Sequence, residues 1–252
     1  MKIVSIAVIL FISSCQSPEK KISTIWLYTH YTGSTNAVKP NFSPTSFLLL
    51  KPDGSYTKDF GVFESGTWKL NTDKLVLYKN RQKADSYTVS TDGHILRLTT
   101  REGELVNFES SPLNMDAESE NPFSLSNNQW RIKAVSKEND TLLTERLLNH
   151  FKFWEAYFTW AFNNNLHSVD VRSTASPIKI YGNGFAVKPT TELPRAWINL
   201  FFDEEDCVRA NQILEKEIRK NTIGWAQTDN KYKMFIGAFQ QLQNNMKAPK
   251  EL

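Results

Sequence analysis

The side chains that could do acid–base or metal chemistry are few and dispersed in this sequence. The four histidines are His30, His94, His150 and His167. None of them has the spacing of a zinc-binding helix, in which two histidines enclose a glutamate. The sequence also lacks the Gly-x-Ser-x-Gly turn of a hydrolase and the glycine-rich loops that hold phosphates. No local motif therefore predicts a catalytic residue, and only a site assembled from distant residues stays open.

One run of carboxylates, Asp203–Asp206, has a composition that could bind a metal ion. It opens a predicted amphipathic helix. Asp203 can cap the first turn of that helix, and the helix dipole favours negative charge at this end. Capping explains all four acids, so we predict no metal site and no cofactor.

The two cysteines, Cys15 and Cys207, are expected to have different roles. Cys207 lies one turn into the predicted helix on its apolar side, which favours a buried, inert thiol over a reactive one. Cys15 follows an apolar N-terminal stretch. If its sulfur is modified, no intramolecular disulfide can form.

The N-terminus has the pattern of an export signal. Lys2 supplies a positive charge, and an apolar run covers residues 3–12. This run is too short for the ~20 residues that a membrane-spanning helix needs. The sequence Ile12-Ser13-Ser14-Cys15 then resembles the lipobox of bacterial lipoproteins. An ordinary secretory signal, cut near Ser14 with Cys15 incidental, is the alternative.

The lipobox resemblance implies a membrane-anchored protein. Residues 1–14 would be a signal peptide, Cys15 would carry palmitate and related acyl chains, and residues 15–21 would form a tether. Gln16, rather than Asp, follows the cysteine, which by the same resemblance favours the outer membrane, facing the periplasm. The membrane is thus one expected partner. The 30 basic and 27 acidic residues form no basic patch, so nucleic acid is excluded as another.

Residues 22–112 have the pattern of an all-β domain. Short alternating segments and turn signals such as Asp53-Gly54 and Asp92-Gly93 recur every ~8–12 residues, which is typical of an antiparallel barrel or sandwich. About eight strands are predicted, in residues 23–28, 45–50, 55–60, 66–70, 74–78, 86–89, 95–99 and 104–108.

The order of these segments resembles the lipocalin-like domains of Bacteroidetes lipoproteins. The similarity rests on an Asp-Gly-Ser-Tyr hairpin, a Gly66-Thr67-Trp68-Lys69-Leu70 strand and an Asp-Lys-Leu-Val-Leu strand from Asp73. Lipocalins proper carry Gly-x-Trp on the first strand, which here reads Thr24-Ile25-Trp26. Their ligand contacts therefore do not transfer to this chain. Trp26 and Trp68 could line a ligand pocket, but filling the barrel core is the commoner role of such residues.

A polar, acidic segment, residues 113–128, is interpreted as a linker to a second domain, residues 129–252. That domain is predicted as α+β, with an antiparallel sheet covered by helices. Strands are expected at 129–134, 167–172, 177–181, 185–188, 197–202 and 222–226, and helices at 141–162, after Asp203, and at 231–246.

The helix predicted at 141–162 carries more apolar surface than one core contact requires. Besides its main stripe, Phe153, Tyr157 and Trp160 form an adjoining aromatic face. Helices that are apolar over such a wide arc are covered on two sides. The second face could bind a ligand or a partner protein, although apolar stripes are usually core.

These features predict a non-enzymatic envelope lipoprotein that binds a partner protein or a small apolar ligand. The candidate binding residues are Trp26, Trp68, Phe153, Tyr157 and Trp160. Two alternatives remain: an envelope hydrolase with its site in the second domain, and a structural subunit of an envelope assembly.

Overall fold

A computed structural model describes residues 18–33, 46–111, 121–165, 176–181, 184–220 and 230–247. The first half is a closed barrel of eight antiparallel strands in sequential order, β1 to β8. Its strands are β1 Ile25–Thr32, β2 Phe47–Leu50, β3 Ser55–Asp59, β4 Phe63–Asn71, β5 Lys74–Lys79, β6 Gln82–Asp92, β7 Ile95–Thr99 and β8 Leu105–Ser111. The antiparallel strands predicted from the sequence are confirmed, and the structure selects a barrel over a sandwich.

Pairing of the first and last strands closes the barrel. β1 and β8 are antiparallel, with a register from Ile25 opposite Ser111 to Thr32 opposite Leu105. The register shifts between Tyr28 and His30, and such a bulge helps a strand to bend around a barrel. Because side chains alternate between the two faces of a strand, every second residue points into the barrel. The buried inward-facing side chains include Trp26, Leu48, Leu50, Tyr56, Trp68, Leu75, Leu77, Leu96, Leu98, Val106 and Phe108.

The second half is mainly helical in the part of the chain that the structure describes. Its helices are α2 Asp140–Asn163, α3 Arg195–Ile198, α4 Glu204–Lys220 and α5 Lys231–Lys247, and α1, Pro18–Ile22, precedes the barrel. The described strands here, β9 Ile178–Tyr181 and β10 Gly184–Val187, form an antiparallel pair where strands are predicted at 177–181 and 185–188.

The described residues of this half do not form the larger antiparallel sheet that the sequence predicts. Residues 129–134, expected as a strand, belong to a 3₁₀ helix, Ser126–Arg131, and the irregular segment after it. Residues 197–202 contain the end of α3 and a turn, because Pro194 precedes a helical start. A short continuous apolar run does not distinguish a strand from a buried helical turn. The strands expected at 167–172 and 222–226 lie outside the described residues.

The long helix α2 begins and ends within one residue of the range 141–162 predicted from its sequence. The Asn139 side chain accepts a hydrogen bond from the Leu142 amide at 3.0 Å and caps the N-terminus. At the other end, Asn165 adopts a left-handed conformation with φ of 52°.

The aromatic rings of Phe158 and Phe239 stack at 5.8 Å between α2 and α5. The opposite side of α2 is also covered, as its wide apolar arc predicts.

The segment from Asn121 to Arg131 lies between the two halves, and most of its residues are buried. Composition predicts an exposed linker through residue 128, but Asn121, Phe123 and Asn128 are almost fully buried. Amides of the segment bond to its own backbone, since Asn128 Nδ2 donates to the Ser124 carbonyl oxygen at 2.7 Å. These internal hydrogen bonds let polar residues enter a core. Residues 113–120 of the predicted linker lie outside the described residues.

Both halves share one apolar core across this segment. The Phe123 ring lies 4.8 Å from the ring of Phe47, which is on the outer face of β2. Ile25 and Leu49 of the barrel wall belong to the same buried cluster as α2. The outer face of β1 and β2 is therefore covered by the helical half, whereas the inside of the barrel is a separate core.

Candidate functional site

One end of the barrel is sealed by α1 and two tryptophans. Trp26 Nε1 donates to the Ile22 carbonyl oxygen at 2.9 Å, and Trp68 Nε1 donates to the Lys51 carbonyl oxygen at 3.0 Å. Both indoles are buried, at 1% and 6% exposure. The indole N–H groups are thus hydrogen-bonded to backbone carbonyl oxygens at the closed end. In this position the two tryptophans fill space, the commoner of their two expected roles.

The opposite end is bordered by the ends of β1 and β8 and by the β3–β4, β5–β6 and β7–β8 turns. We call the inward-facing side chains at this end the barrel mouth: Tyr28, Tyr56, Lys58, Phe60, Glu64, Asp85, Tyr87 and Phe108. The side chains of Glu64 and Asp85 point inward and yet remain 20% and 34% exposed. In the part of the chain that the structure describes, solvent therefore reaches the interior of the barrel from this end.

A buried lysine lies between two carboxylates in the barrel mouth. Lys58 on β3 is directly opposite Glu64 on β4, and its Nζ lies 3.2 Å from Glu64 Oε2. The same Nζ donates to Asp85 Oδ2 on β6. Lys58 is only 6% exposed, and a buried ammonium requires such partners because desolvation of a charge is costly. At the rim, Lys79 approaches Glu64 Oε1 at 3.3 Å, with half of its side chain in solvent.

Aromatic rings form the remaining surface of the mouth. The ring centroids of Tyr28 and Phe108 are 6.3 Å apart, those of Phe108 and Phe60 are 5.4 Å apart, and those of Phe60 and Tyr87 are 6.4 Å apart. The rings thus form a continuous series from β1 to β6. Phe60 belongs to the β3–β4 turn, and its ring face lies 5.0 Å from Lys58 Nζ. This contact is a cation–π interaction inside the barrel.

The hydroxyl of Tyr56 is buried in the mouth and has no hydrogen-bond partner among the residues that the structure describes. Tyr56 is 1% exposed. Burial, reinforced by the charges of Glu64 and Asp85, raises the pKa of Tyr56 to about 12. Burial and the neighbouring Asp85 carboxylate also raise the pKa of Tyr87. A buried hydroxyl that makes no hydrogen bond costs about 1–3 kcal/mol, so this position in the mouth favours an added polar group.

The Tyr56 ring is held in place by a glycine on the neighbouring strand. A Cβ atom added to Gly66 would lie 2.9 Å from the Tyr56 ring and 2.0 Å from the Tyr78 carbonyl oxygen. Only glycine leaves room for this close approach of strand and ring. The backbone of β4 therefore determines where the phenol hydroxyl lies.

Tyr56, Lys58, Glu64 and Asp85 are not among the candidate residues predicted from the sequence. A signal for them exists in the alternation of the strands, since Lys58 shares the inward face of β3 with Tyr56. Asp85 likewise shares the face of Tyr87 on β6. A charged residue on the apolar face of a strand is the feature that identifies these positions. The grouping of three strands around Lys58 requires the tertiary structure.

The aromatic face of α2 is covered within the chain. Phe153, Tyr157 and Trp160 are 1%, 5% and 6% exposed. The Phe123 ring packs edge-on against Trp160 at 4.8 Å, and Trp130 lies 5.6 Å from Phe153. The buried segment between the halves thus occupies this face. A partner protein docking on it therefore has no support from the geometry.

A serine and a histidine meet in the helical half, but inside the core. His150 Nε2 lies 3.2 Å from Ser176 Oγ, and both residues are buried. Among the described residues, His150 Nδ1 has no hydrogen-bond partner and no acid orients the ring in the way a catalytic histidine requires. Rings of Trp130 and Trp197 lie 4.5 Å and 4.9 Å from the imidazole. The pair is therefore part of the apolar core, and His167 lies outside the described residues.

The acidic run opens α4, and Asp203 caps that helix as predicted. Asp203 Oδ1 accepts a hydrogen bond from the Asp206 amide at 2.9 Å. Asp206 is fully buried and accepts a hydrogen bond from the Glu138 amide at 3.0 Å. It also pairs with Arg209 at 3.0 Å. Within the described ranges, no group of histidine, cysteine and acidic residues has a metal-binding arrangement.

The described barrel is thus a closed eight-stranded antiparallel barrel with one sealed end and one polar, solvent-accessible end. Among solved structures, the chain is similar to a DUF4847 family protein from Bacteroides vulgatus, with 14% identity and a TM-score of 0.27. This similarity covers 38% of the chain and 98% of that protein. No protein-family model matches the sequence, and neither does any curated protein.

The predicted signal peptide and lipid anchor rest on the sequence, since residues 1–17, with Cys15, lie outside the described residues. None of the helices in the described ranges has the length and apolar character needed to cross a bilayer.

Proposed function

We propose that this protein is a non-enzymatic lipoprotein of the bacterial envelope that binds a small, largely apolar molecule in its barrel mouth. The observation that carries the proposal is the buried Tyr56 hydroxyl, which has no hydrogen-bond partner among the described residues. It lies in a mouth where the Phe60 and Tyr87 side chains are partly exposed. A bound molecule could satisfy this hydroxyl and cover the rings of Phe60 and Tyr87. Binding sites commonly combine an apolar wall with a few polar groups in this way.

The lipid anchor is part of the same proposal. Acyl chains on Cys15 would hold the protein at the outer membrane, facing the periplasm. Pro18, at the start of α1, follows Cys15 by three residues and lies at the sealed end of the barrel. An anchor at this position leaves the barrel mouth turned away from its point of attachment.

Binding is tested with N-phenyl-1-naphthylamine, an uncharged apolar dye whose fluorescence increases in apolar surroundings. We expect the purified protein to bind the dye, with energy transfer from its tryptophans. Glu64→Trp should abolish binding by filling the mouth, and Asp85→Trp should do the same from another strand. Glu109→Trp is the matched control, because Glu109 is exposed on the outer face of β8. Equal dye binding by all four proteins would contradict the proposal.

The anchor is tested by cell fractionation and intact-mass measurement. Wild-type protein should remain in the membrane fraction with a processed, acylated N-terminus at Cys15. Cys15→Ala should release the protein from membranes. Membrane retention of the variant, or a wild-type mass without added lipid, would contradict lipidation.

A further inference from the structure

We propose that the molecule bound in the barrel mouth carries a protonated amine beside an apolar body, and that Glu64 and Asp85 receive the amine. This inference rests on the proposed function and specifies its ligand class. It starts from the occupant that the chain itself supplies, the ammonium group of Lys58.

The surroundings of Lys58 Nζ are those of an ammonium-binding site. Two carboxylates contact it, Glu64 at 3.2 Å and Asp85, and the Phe60 ring lies 5.0 Å away. Acidic oxygens together with an aromatic face stabilise organic cations, since both present negative potential. Lys58 therefore marks a position in the barrel where a primary amine is stable.

A ligand that approaches from solvent meets the carboxylates before it meets the lysine. The side chains of Glu64 and Asp85 are 20% and 34% exposed, against 7% for Lys58. The deeper ammonium balances one of these two negative charges. Lys79 also approaches Glu64, but its side chain is 49% exposed, so solvent screens its charge. The carboxylate oxygens are thus more accessible than the Lys58 ammonium, which favours a cationic ligand at this cluster over a carboxylate.

The Tyr56 hydroxyl is an independent sign that this cluster is incomplete. Its oxygen is buried and makes no hydrogen bond within the described ranges, and the charges of Glu64 and Asp85 act on it directly. A phenol oxygen can accept a hydrogen bond from an N–H group that also bonds to the carboxylates. An ammonium has three N–H donors, enough for Glu64, Asp85 and Tyr56 together.

Three probes of similar shape test the charge of the ligand: 2-phenylethylamine, 2-phenylethanol and 3-phenylpropanoate. Affinities are measured by calorimetry, and the site is located from backbone amide shifts in nuclear magnetic resonance spectra. The amine should bind about tenfold or more tightly than the alcohol, as for one charge-assisted hydrogen bond. The carboxylate should bind most weakly. Shifts should concentrate at Tyr56, Glu64 and Asp85, not at Asp92 on the sealed end.

Variants assign the effect to individual groups. Glu64→Gln and Asp85→Asn should each remove most of the preference for the amine over the alcohol. Lys58→Met should raise amine affinity about tenfold, because the internal competitor is gone. Lys79→Met is the matched control, which removes a charge at the solvent-screened rim and should change amine affinity less than about threefold.

The outcomes separate the inference from the proposed function. Equal affinity for amine and alcohol, or an amine preference that survives both acid substitutions, would overturn the amine inference while leaving a binding barrel. If none of the probes, nor the naphthylamine dye, shifts the amides of the mouth, binding in the barrel is itself refuted.

Discussion

Arg131 and Asp59 form an ion pair that joins the helical half of the protein to the rim of the barrel mouth. Arg131 Nη1 contacts Asp59 Oδ2 at the end of β3, and both side chains are largely buried. Asp59 Oδ1 also accepts a hydrogen bond from the Gly61 amide at 3.1 Å, inside the β3–β4 turn that carries Phe60. The guanidinium packs over the Phe153 ring at 4.6 Å. The pair therefore fixes the turn above the mouth against α2.

Removing one partner of this pair should destabilise the protein. Asp59→Asn or Arg131→Met leaves the other group buried at 10–13% exposure with its charge unpaired. We expect each to lower the free energy of unfolding by about 3 kcal/mol, the lower end for a buried pair. The double variant should lose less free energy of unfolding than the two single variants lose in sum, because both charges are then absent. Urea unfolding of the four proteins measures this coupling.

An exposed ion pair provides the control for that cycle. Lys179 and Glu192 pair on the surface with 37% and 50% of their side chains exposed. Glu192→Gln should change the unfolding free energy by less than about 1 kcal/mol. Additive effects of Asp59→Asn and Arg131→Met would show that the buried pair does not couple the two halves.

His150 should make the fold sensitive to mild acid. Burial, with the positive charges of Arg131 and Lys188, holds the pKa of His150 well below 6.5. The unfolded chain, with a histidine pKa near 6.5, therefore binds a proton that the folded chain does not. Below pH 6.5 the stability should fall by up to ~1.4 kcal/mol per pH unit from this residue, and above that pH the contribution is constant.

Unfolding experiments between pH 7 and pH 5 check this linkage. His150→Gln should be less stable at pH 7 but should show a smaller decrease of stability toward pH 5. His94→Gln, at an exposed position, should keep the wild-type pH dependence. An unchanged slope in His150→Gln would contradict a neutral buried imidazole.

Two glycine-to-alanine substitutions should have opposite effects. In Gly66→Ala the new methyl group would lie 2.0 Å from the Tyr78 carbonyl oxygen, so the strands or the Tyr56 ring must move. We expect a loss of about 1–3 kcal/mol. Gly237→Ala adds a methyl group with nothing within 4 Å inside α5 and should gain about 0.5–1 kcal/mol. Thermal unfolding compares the stability of the two variants. A Gly66→Ala protein as stable as the wild type would show that β4 is not in close contact with the Tyr56 ring.

Cys207 should be unreactive in the folded protein. Its thiol is 1% exposed, as the helical pattern predicts, and burial raises the pKa of Cys207 to about 11. Little thiolate exists at neutral pH, and alkylating reagents react with thiolate. The extent of iodoacetamide labelling should follow the unfolded fraction of the protein in urea. Fast labelling of Cys207 in the native state would contradict this prediction. Cys15→Ala supplies the background in which only Cys207 reacts.

Local patterns in the sequence determined the regular elements of this protein. Period-two alternation and Asp-Gly turns placed the barrel strands, and three- and four-residue spacing placed α2, α4 and α5. Asp203 was identified as a cap because capping involves only neighbouring residues. The signal peptide and the lipid on Cys15 are read from the sequence alone and remain predictions.

The tertiary structure decided how these elements close and what they enclose. The β1–β8 pairing joins residues at opposite ends of the barrel sequence, and alternation shows only that a strand has two faces. The polar segment from Asn121 was expected to be exposed because composition does not reveal that its amides bond to its own backbone. Lys58, Glu64 and Asp85 meet only once three strands curve around one axis, since the barrel mouth depends on contacts between residues distant in the chain.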